Sequence, residues 1–576
     1  MIEVLSVACE FIEELNKLRK SSIEAVDDAN NETDSFKRYL HVERTVEREL
    51  KDLLNTVNLN DKKTLVLVCG SAGDGKSHLL SKLKNEKGFL ESYDIRNDGT
   101  ESFKPEMTST EALDEILDSF SDANLEQYGK NLILAINLGT LSKFVDSVSG
   151  QKYRRLIEFI DKMGILTGNL TVDSYDSDSH FQYVSFSDFN IFTLTENGVK
   201  SEFIEKIIAR VATGDDKNPF HKKYCSMNNC PLSEKCPVRH NYEFLMIPQV
   251  QKNLASAIVE TIIKDKLVVS TREILDFIFN VLVHHDFSHD NMLKSKNDNE
   301  YFMYIDYLLP SLLYEYSDIS PLINNIIKYD ILRERHEILD ESAVDFSVSQ
   351  KVDSIICDII DKTPYKGVVI TDKLNDYVSG SNRKDNKLKL FKLMMRLKKI
   401  LDDESIPKDE IYQEFVRYLY YFNSNKKNKL EPLYELVQNG VFQWAGGYED
   451  KYLRINRNIA IAVFEELSIK FCPNSQPENQ GGELQKFVSY IKVYFRTTTD
   501  ESVVCLDIDY PLFKMLYDIK RGYKPTADDN NTYAEFVSFI SKVSLLGNFE
   551  EEVMLIQNGK RGKFKKTDFG YKFEVI

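Results

Sequence analysis

Tryptophan and cysteine are scarce in this chain, and long apolar runs are missing. The single tryptophan, Trp444, is expected to serve packing, and there are eight cysteines in 576 residues. So few cysteines exclude a disulfide framework, and the five that lie apart in sequence are expected to be reduced and mostly buried. These five are Cys9, Cys69, Cys357, Cys472 and Cys505. No apolar run approaches the roughly 18–20 residues of a membrane span, so no membrane-spanning helix is expected.

The chain also lacks an excess of positive charge and a basic leader. Its formal net charge is -17, which argues against a nucleic-acid footprint over the whole surface. Any contact with DNA must therefore come from a local basic patch or from a partner. The N-terminus carries acids inside its apolar stretch, which predicts a helix rather than a signal peptide. The expected compartment is the cytoplasm.

What the chain does contain is a phosphate-loop pattern. An apolar run at 64–69 precedes a glycine-rich loop, and a Leu-rich amphipathic segment follows it. The spacing Gly-x-x-x-x-Gly-Lys-Ser is the full Walker A pattern, in which Lys76 reaches the β- and γ-phosphates of ATP and Ser77 offers a hydroxyl to Mg²⁺. An ordinary glycine-rich turn is the alternative. The predicted nucleotide-binding residues are Gly70, Ser71, Ala72, Gly73, Asp74, Gly75, Lys76, Ser77 and His78.

Two candidate catalytic acids follow a short strand that is predicted from Tyr93 onwards. A carboxylate after this strand would lie beside the bound Mg²⁺, so Asp98 is the candidate Walker B acid and metal ligand. Glu101 is the candidate that orients the attacking water. The residues before Asp98 are not the continuous apolar run that a buried parallel strand normally shows. A polar loop after a strand is therefore an equally open interpretation.

The apolar run Asn131–Ile136 predicts a buried strand that ends at Asn137. In ATPases of the AAA+ type, an asparagine at this point acts as a catalytic sensor of the γ-phosphate or of the lytic water. The alternative is a Walker B strand that has lost its acid, which predicts weak or absent hydrolysis. Further along, Ser270 and Glu273 predict the capped start of a helix. Arg272, in its first turn, would point back to the γ-phosphate or form a surface ion pair.

Strands and helices that alternate around the loop predict a parallel sheet covered on both faces. The expected fold class is α/β, with an AAA+-like P-loop NTPase core, a large helical region and a small C-terminal α/β domain. A terminal hairpin is expected to pair residues 552–557 with 571–576. The predicted segments are N-terminal helices at 1–60, the NTPase core at 61–215, a Cys/His loop and helical lid at 216–300, a helical domain at 301–472 and the α/β domain at 485–576.

Three cysteines and a histidine form a cluster with the spacing C-x4-C-x5-C-x3-H. Zinc binds such sets tetrahedrally and can order a loop too small to have a core. A structural Zn²⁺ site is therefore one interpretation, and reduced cysteines in a compact loop are the other. The four residues are Cys225, Cys230, Cys236 and His240.

One predicted helix is strongly basic. Residues 383–399 contain eight basic residues and a single acid. In so acidic a chain, a basic stripe is compatible with contact with a phosphate backbone. Docking on an acidic partner, or on the chain's own acidic surface, is an equally open interpretation.

Together these features resemble the DptF family, the ATPase-type component of DNA phosphorothioation-dependent restriction. The resemblance spans almost the full length. One departure is Gly99, where the family pattern has alanine; it leaves Asp98 and Glu101 in place. The motifs that carry the resemblance are at 69–78, 97–103, 135–139 and 236–245, together with the terminal hairpin.

The resemblance implies a cytoplasmic bacterial defence protein that acts on DNA lacking sulfur in its backbone. Its partners would be companion proteins of the same restriction system, including a DNA translocase or helicase, with DNA reached through the complex. The expected function is an ATP-hydrolysing subunit, with arginines supplied by a neighbouring subunit of a homo-oligomer. The alternative is a nucleotide-occupied scaffold that hydrolyses little and docks the translocase or nuclease components. The sequence shows no nuclease motif.

Overall fold

A computed structural model describes residues 9–19, 35–57, 62–70, 74–85, 93–97, 108–166, 175–176, 178–294, 302–379, 383–449, 451–456, 460–467, 469–472, 482–497, 503–545, 547 and 551–576. The α-helices in this part of the chain are α1 (Glu10–Asn16), α2 (Ser35–Leu40), α3 (Thr45–Val57), α4 (Lys76–Asn85), α5 (Ser109–Leu117), α6 (Leu138–Val145), α7 (Arg154–Lys162), α8 (Glu202–Val211), α9 (Pro219–Ser226), α10 (Pro237–Leu245), α11 (Pro248–Asp265), α12 (Thr271–Leu282), α13 (His289–Leu293), α14 (Leu309–Tyr314), α15 (Pro321–Ile326), α16 (Glu337–Val348), α17 (Val352–Ile360), α18 (Leu374–Tyr377), α19 (Arg383–Ile400), α20 (Glu410–Asn423), α21 (Glu431–Trp444), α22 (Tyr510–Lys520), α23 (Ala527–Thr532) and α24 (Ala534–Leu545).

The strands fall into four sheets. In chain order they are β1 (Leu65–Cys69), β2 (Tyr93–Arg96), β3 (Asn131–Ile136), β4 (Phe181–Ser185), β5 (Thr193–Thr195), β6 (Gly198–Lys200), β7 (Tyr452–Arg454), β8 (Ala462–Glu466), β9 (Ile469–Phe471), β10 (Ile491–Thr497), β11 (Val503–Ile508), β12 (Glu552–Gln557), β13 (Lys560–Thr567) and β14 (Gly570–Val575). Among the described helices, none is both long enough and apolar enough to cross a membrane.

Contacts divide the chain into two compact units. The first comprises Met1–Thr193, Lys200–Ile262 and Leu267–Lys408, and the second comprises Leu194–Val199, Ile263–Lys266 and Asp409–Ile576. The predicted division into five segments stays a prediction. The helices α20 and α21 belong to the second unit, together with the C-terminal sheets, and not to the unit that contains the preceding helices.

The first unit is built on a parallel sheet of order β2-β3-β1-β4. β1 lies between β3 and β4, and its final residue Cys69 is opposite Ile136 on one side and Ser185 on the other. Every residue of β1 is buried, as expected for a parallel strand covered on both faces. Because β3 and β4 flank β1 on opposite sides, the carboxyl end of β1 is a topological switch point, where open α/β sheets bind ligands.

Side chains alternate across this sheet and fill two separate cores. Leu65 and Leu67 of β1 pack with buried residues of α5, α6 and α7. Val66 and Val68 point to the other face and pack with α3 and α4. Successive strand residues face opposite sides of a sheet, so one apolar run supplies both cores. The sheet is therefore the middle of three layers.

The second unit contains two larger antiparallel sheets. One has the order β11-β10-β9, and the other has the order β14-β13-β12-β8-β7. Asn558 and Gly559 connect β12 to β13 with φ values of +47° and +77°, the left-handed pair that a tight hairpin turn requires. β13 then pairs with β14.

Two sequence-based expectations were wrong here. The predicted terminal hairpin of 552–557 with 571–576 is a three-stranded meander, because the lysine-rich segment between them is the strand β13. The helical domain expected at 301–472 is not helical to its end, since α21 ends at Trp444 and the strands β7, β8 and β9 follow. Among the expected N-terminal helices, α2 and α3 are separated by a break where the Glu47 carboxylate accepts the Arg44 backbone N–H at 3.3 Å.

Candidate functional site

The predicted phosphate loop lies at the carboxyl end of β1, at the switch point of the parallel sheet. Gly70 follows β1 directly, and α4 begins at Lys76. The first N–H groups of a helix have no partner within the helix, and they carry its partial positive charge. The start of α4 is therefore suited to bind an anion. Three loop residues lie outside the described part of the chain: Ser71, Ala72 and Gly73.

Two glycines of the loop have backbone or packing requirements that other residues do not meet. Gly75 has a φ of +92°, which L-residues with a side chain rarely adopt. A Cβ on Gly70 would lie 2.8 Å from the Asp74 Oδ2 and 2.9 Å from the Phe186 Cβ. These two requirements explain why glycine is found at both positions of the described part of the loop.

The Lys76 side chain folds back over the loop. Its Nζ donates a hydrogen bond to the Gly70 carbonyl oxygen at 2.9 Å. Beneath it, burial raises the pKa of the Cys69 thiol to about 12; the Asp188 carboxylate adds to that increase and Lys76 opposes it. Asp188 follows β4 and thus brings an acid to the loop end of the sheet. Asp188 was not among the predicted site residues, although an acid three residues after a buried strand could have been recognised in the sequence.

Arg44 links the loop to the sheet and was also missed from the sequence. One guanidinium nitrogen donates to the Asp74 carbonyl oxygen at 3.1 Å, and another donates to the Phe189 carbonyl oxygen at 3.4 Å. The guanidinium lies 5.1 Å from the ring centroid of Phe186 and 5.6 Å from that of Phe203, within the range of cation–π attraction. Sequence offered no signal for this role, because the break before α3 contains neither glycine nor proline.

His78, predicted to bind nucleotide, also belongs to a polar network. Its Nε2 lies 3.1 Å from the His41 Nδ1. The His41 Nε2 lies 3.2 Å from the Glu47 Oε2, and the Lys82 Nζ lies 3.5 Å from the same oxygen. Burial alone would raise the pKa of Glu47, but the hydrogen bond and charge of His41 and the charge of Lys82 outweigh it and lower that pKa. The network joins α3 to α4, the helix that follows the loop.

Replacing Glu47 by Gln should lower the free energy of unfolding by about 1–3 kcal/mol at neutral pH, because the Lys82 ammonium and the His41 ring would lose their buried carboxylate partner. A carboxyl whose folded pKa is depressed contributes stability above its unfolded pKa and loses it as pH falls through the folded value. The difference between wild type and variant should therefore be full at pH 7 and shrink below about pH 4.5. Denaturation curves at several pH values measure it.

Glu43→Gln is the matched control, since Glu43 lies four residues away with a half-exposed side chain. It should change stability by less than about 0.5 kcal/mol at every pH. An equal loss in both variants would mean that the Glu47 network does not stabilise the junction of α3 and α4.

A cavity of about 150 Å³ opens beside the loop and the start of α4. Arg272, in the first turn of α12, lines it, and no described residue forms a hydrogen bond or ion pair with its guanidinium. The predicted cap of α12 is confirmed, since the Ser270 Oγ accepts the Glu273 N–H at 3.3 Å and the Glu273 carboxylate accepts the Ser270 N–H at 2.9 Å. The other walls include Phe36, His41, Arg44, Asp74, Gly75, His78, Phe186, Phe203, Ile207, Thr271 and Leu275.

Comparison with known proteins gives no match. No family model, curated protein or solved structure matches this chain. The resemblance to the DptF family therefore stays a prediction, and a role for the loop is inferred from its residues and geometry.

The other predicted catalytic residues follow neighbouring strands. Asn137 is exposed at the end of β3, and its Oδ1 accepts the Gly139 N–H at 3.0 Å as the N-cap of α6. Asp98 and Glu101 lie outside the described residues. Asn97, directly before Asp98 and after β2, is buried, and no described residue forms a hydrogen bond with either polar atom of its side chain.

His240 does not have a ring nitrogen available for zinc. Its Nε2 lies 2.7 Å from the Glu234 carbonyl oxygen, and its Nδ1 lies 3.0 Å from the Glu243 Oε2. Burial would raise the pKa of Glu243, but hydrogen bonds from His240, Tyr224 and Arg239 lower it to about 2. His240 therefore belongs to a polar cluster around a carboxylate.

The three predicted cysteine ligands have separate surroundings as well. The Cys230 Sγ lies 3.5 Å from the His289 Nε2, and the Cys225 Sγ lies 3.5 Å from the His221 Nε2. Cys236 is buried, which raises the pKa of its thiol to about 12. The structure does not bring the predicted Cys3His set together. In the described part of the chain, the group whose ligand atoms lie within 4.8 Å of one another is His284, His285 and Asp286.

The basic helix α19 turns its cations to acids and carbonyl groups of its own unit. Arg396 is buried between Asp330 at 2.5 Å and Glu315 at 2.6 Å. Burial lowers the pKa of Arg396, but its bonds to these two acids outweigh that effect and raise it. Other partners are Asp306 for Lys389, Glu315 for Lys392, the Tyr329 carbonyl for Lys399, and the carbonyls of Ser347 and Ser349 for Lys387. Five of the eight cations of this stripe thus have partners within the chain's own first unit, three of them acidic.

Proposed function

We propose that this chain binds ATP with Mg²⁺ at residues 70–78 and hydrolyses it as the ATPase subunit of a phosphorothioation-dependent DNA restriction complex. The observation that carries the nucleotide site is the complete Walker A pattern at the carboxyl end of a central parallel strand, beside a cavity lined by an arginine without a described partner. The restriction role rests on the DptF resemblance, as do cytoplasmic location and action with companion proteins.

Phosphate binding follows from the charges around the loop. The N–H groups at the start of α4 and the Lys76 ammonium offer donors to the β- and γ-phosphates. Arg44 holds the Asp74 carbonyl and so keeps the loop in place when a polyanion binds. Arg272 approaches from α12, where its planar guanidinium suits bidentate contact with a phosphate.

The donor set fits Mg²⁺. The Ser77 hydroxyl and the Asp98 carboxylate are hard oxygen ligands of the kind Mg²⁺ prefers. When bound, Mg²⁺ would neutralise charge that develops on the phosphates. We propose no zinc site on the predicted Cys3His set, because the structure does not bring its four residues together.

Asn137 is proposed as a sensor residue. It follows β3, which lies between the loop strand β1 and the strand β2 that precedes Asp98. Asn137 therefore follows the strand that separates the loop strand from β2, and from the end of β3 its amide is proposed to orient the attacking water. This position favours the sensor interpretation over a Walker B strand that has lost its acid.

The cavity beside α4 is proposed to receive the nucleobase. Its walls combine the rings of Phe36, Phe186 and Phe203 with charged groups, and a base stacks favourably on aromatic and guanidinium planes. Arg272 belongs to α12 and lines the same cavity as Gly75. A bound nucleotide would therefore contact both this helix and the loop.

Replacing Arg272 by Ala should weaken ATP binding by roughly 10- to 100-fold, the effect of one charge-assisted contact. Titration with a fluorescent ATP analogue in magnesium buffer measures it, and Arg335→Ala, at an exposed position, is the control. Wild type that binds no adenine or guanine nucleotide overturns the proposed function. Wild-type binding with an unchanged Arg272→Ala variant removes only the role of Arg272.

A further inference from the structure

The turn that follows α12 brings three side chains of metal-ligand type together. Helical geometry ends at Val283, whose φ of -125° and ψ of 116° are those of an extended residue. The Phe287 N–H donates to the His284 carbonyl oxygen at 3.0 Å, which closes a turn. Within this turn, one ligand atom from each of three side chains lies within 4.8 Å of the other two. They belong to His284, His285 and Asp286, a pair of histidines with an adjacent carboxylate.

His284 is the buried member of this group, and its surroundings hold the ring in place. The residue is 5% exposed, and its ring centroid lies 3.9 Å from that of Tyr307 and 4.5 Å from that of Tyr316. The Asn241 amide donates to the Leu282 carbonyl at 3.1 Å and to the Tyr307 carbonyl at 2.9 Å. These bonds tie the end of α12 to the segment that carries the stacked ring. A ligand fixed in this way loses little conformational entropy when it binds a metal.

The ring of His284 is neutral, as a metal ligand must be. The Asp286 backbone N–H donates to its Nδ1 at 3.0 Å, and a protonated imidazole would have no lone pair to accept that bond. No described residue forms a hydrogen bond with its Nε2. A metal at Nδ1 would replace the N–H donor, and a metal at Nε2 would move the ring proton to Nδ1. Either way the bond from Asp286 is given up, so we expect moderate affinity and not the tight binding of a preformed site.

His285 and Asp286 are the exposed members of the group. Their side chains are 52% and 72% exposed, so a hydrated ion can reach them, and the His285 Nε2 lies 3.2 Å from the Asp286 Oδ2. Two ligand atoms bonded to one Zn²⁺ at tetrahedral angles are about 3.4 Å apart, given bonds of about 2.1 Å. The two exposed groups therefore already have the spacing of neighbouring metal ligands.

We propose that His284, His285 and Asp286 bind a divalent transition-metal ion, with Zn²⁺ as the ion that matches the set best. Two imidazoles and one carboxylate are a donor set of zinc sites with three protein ligands, whereas Mg²⁺ and Ca²⁺ are bound through oxygen. Three ligands from the chain leave the remaining coordination positions to water. All three residues lie outside the loop at 70–78, so this inference does not depend on the proposed function.

A surface ion pair is the other interpretation of the approach between His285 and Asp286. An exposed pair of this kind contributes little to stability. It also does not require a third ligand beside it, yet a ring nitrogen of the buried, neutral His284 lies within 4.8 Å of the ligand atoms of both neighbours. The complete set of three is therefore better explained by a shared ion.

Calorimetric titration of the full chain with Zn²⁺ tests the site, in buffer without nucleotide or Mg²⁺. Wild type should bind one Zn²⁺ that His285→Ala and Asp286→Asn each bind at least roughly tenfold more weakly, since each removes one ligand. Both substitutions are at exposed positions and keep all eight cysteines, so zinc held by thiols cancels in the comparison. His284→Phe keeps a ring in the packed position and should lose the ion. Asp290→Asn, at an exposed acid in the next helix, is the matched control and should bind like wild type.

Two results would overturn the proposal. One is a wild type that binds Zn²⁺ no more tightly than His285→Ala and Asp286→Asn at up to roughly 100 µM metal, which would leave the turn as an ion pair beside packed rings. The other is displacement of the zinc by a moderate excess of Mg²⁺, which would indicate a carboxylate site without imidazole ligands. Circular dichroism verifies that each variant is folded. If His284→Phe does not fold, the two exposed variants decide the question.

Discussion

Lys76→Ala should abolish ATP turnover and weaken ATP binding by roughly 100-fold or more, since it removes the cation that contacts two phosphates. In the structure the Lys76 ammonium already lies over the loop, 2.9 Å from the Gly70 carbonyl. A bound triphosphate would replace this carbonyl with charged oxygens, so little reorganisation is needed. Phosphate release and titration with a fluorescent ATP analogue, both in magnesium buffer, measure the two effects.

Lys84→Ala is the control for this experiment, because Lys84 lies on the same helix about two turns from the loop. It should bind and hydrolyse ATP like wild type. Undiminished binding by Lys76→Ala would mean that residues 70–78 are not the nucleotide site. Asp98→Ala separates the two proposed modes of action: an ATPase keeps binding and loses turnover. If both substitutions leave restriction intact with companions and DNA present, the scaffold alternative is correct.

Arg396→Met should destabilise the first unit by about 3–5 kcal/mol, because it leaves a buried carboxylate without its partner. The side chains of Arg396 and Asp330 are 3% and 5% exposed, and their charged groups approach to 2.5 Å. Glu315 retains Lys392 at 3.0 Å, so Asp330 is the acid that loses most. Thermal or chemical denaturation followed by circular dichroism should show the loss as an earlier transition.

Lys384→Met on the same helix removes an exposed cation and should change stability by less than about 0.5 kcal/mol. The double variant Arg396→Met/Asp330→Leu should recover most of the loss, since replacing both members of a buried ion pair by apolar residues is often nearly neutral. Equal effects of Arg396→Met and Lys384→Met would contradict a structural role for the buried pair.

Local patterns predicted the elements around the loop well. The run at 65–69 is apolar at every position, and such a run followed by glycine and Lys-Ser has few structural interpretations. The cap of α12 was predictable for the same reason, because Ser270 and Glu273 contact each other three residues apart. Each of these features depends on residues that are close together in sequence.

Features that depend on distant residues were not predictable. Sequence spacing suggested a zinc site made of Cys225, Cys230, Cys236 and His240. Spacing does not reveal that the Glu243 carboxylate and a backbone carbonyl lie beside the two ring nitrogens of this histidine. The acidic partners of α19 lie 66 to 83 residues earlier in the chain, so the sequence left contact with DNA and docking on the chain's own acids equally open. β13 was missed because a strand rich in lysine lacks the apolar alternation that marks a strand in sequence.

The internal neutralisation of α19 has a consequence for how this chain meets a polyanion. Five of its cations are paired with acids and carbonyls beneath them, so α19 offers little local positive potential to offset the chain's net charge of -17. At low ionic strength the field of that net charge repels duplex DNA before any surface can touch, and added salt reduces the barrier. Fast recruitment to DNA would therefore require a basic subunit that bridges the two.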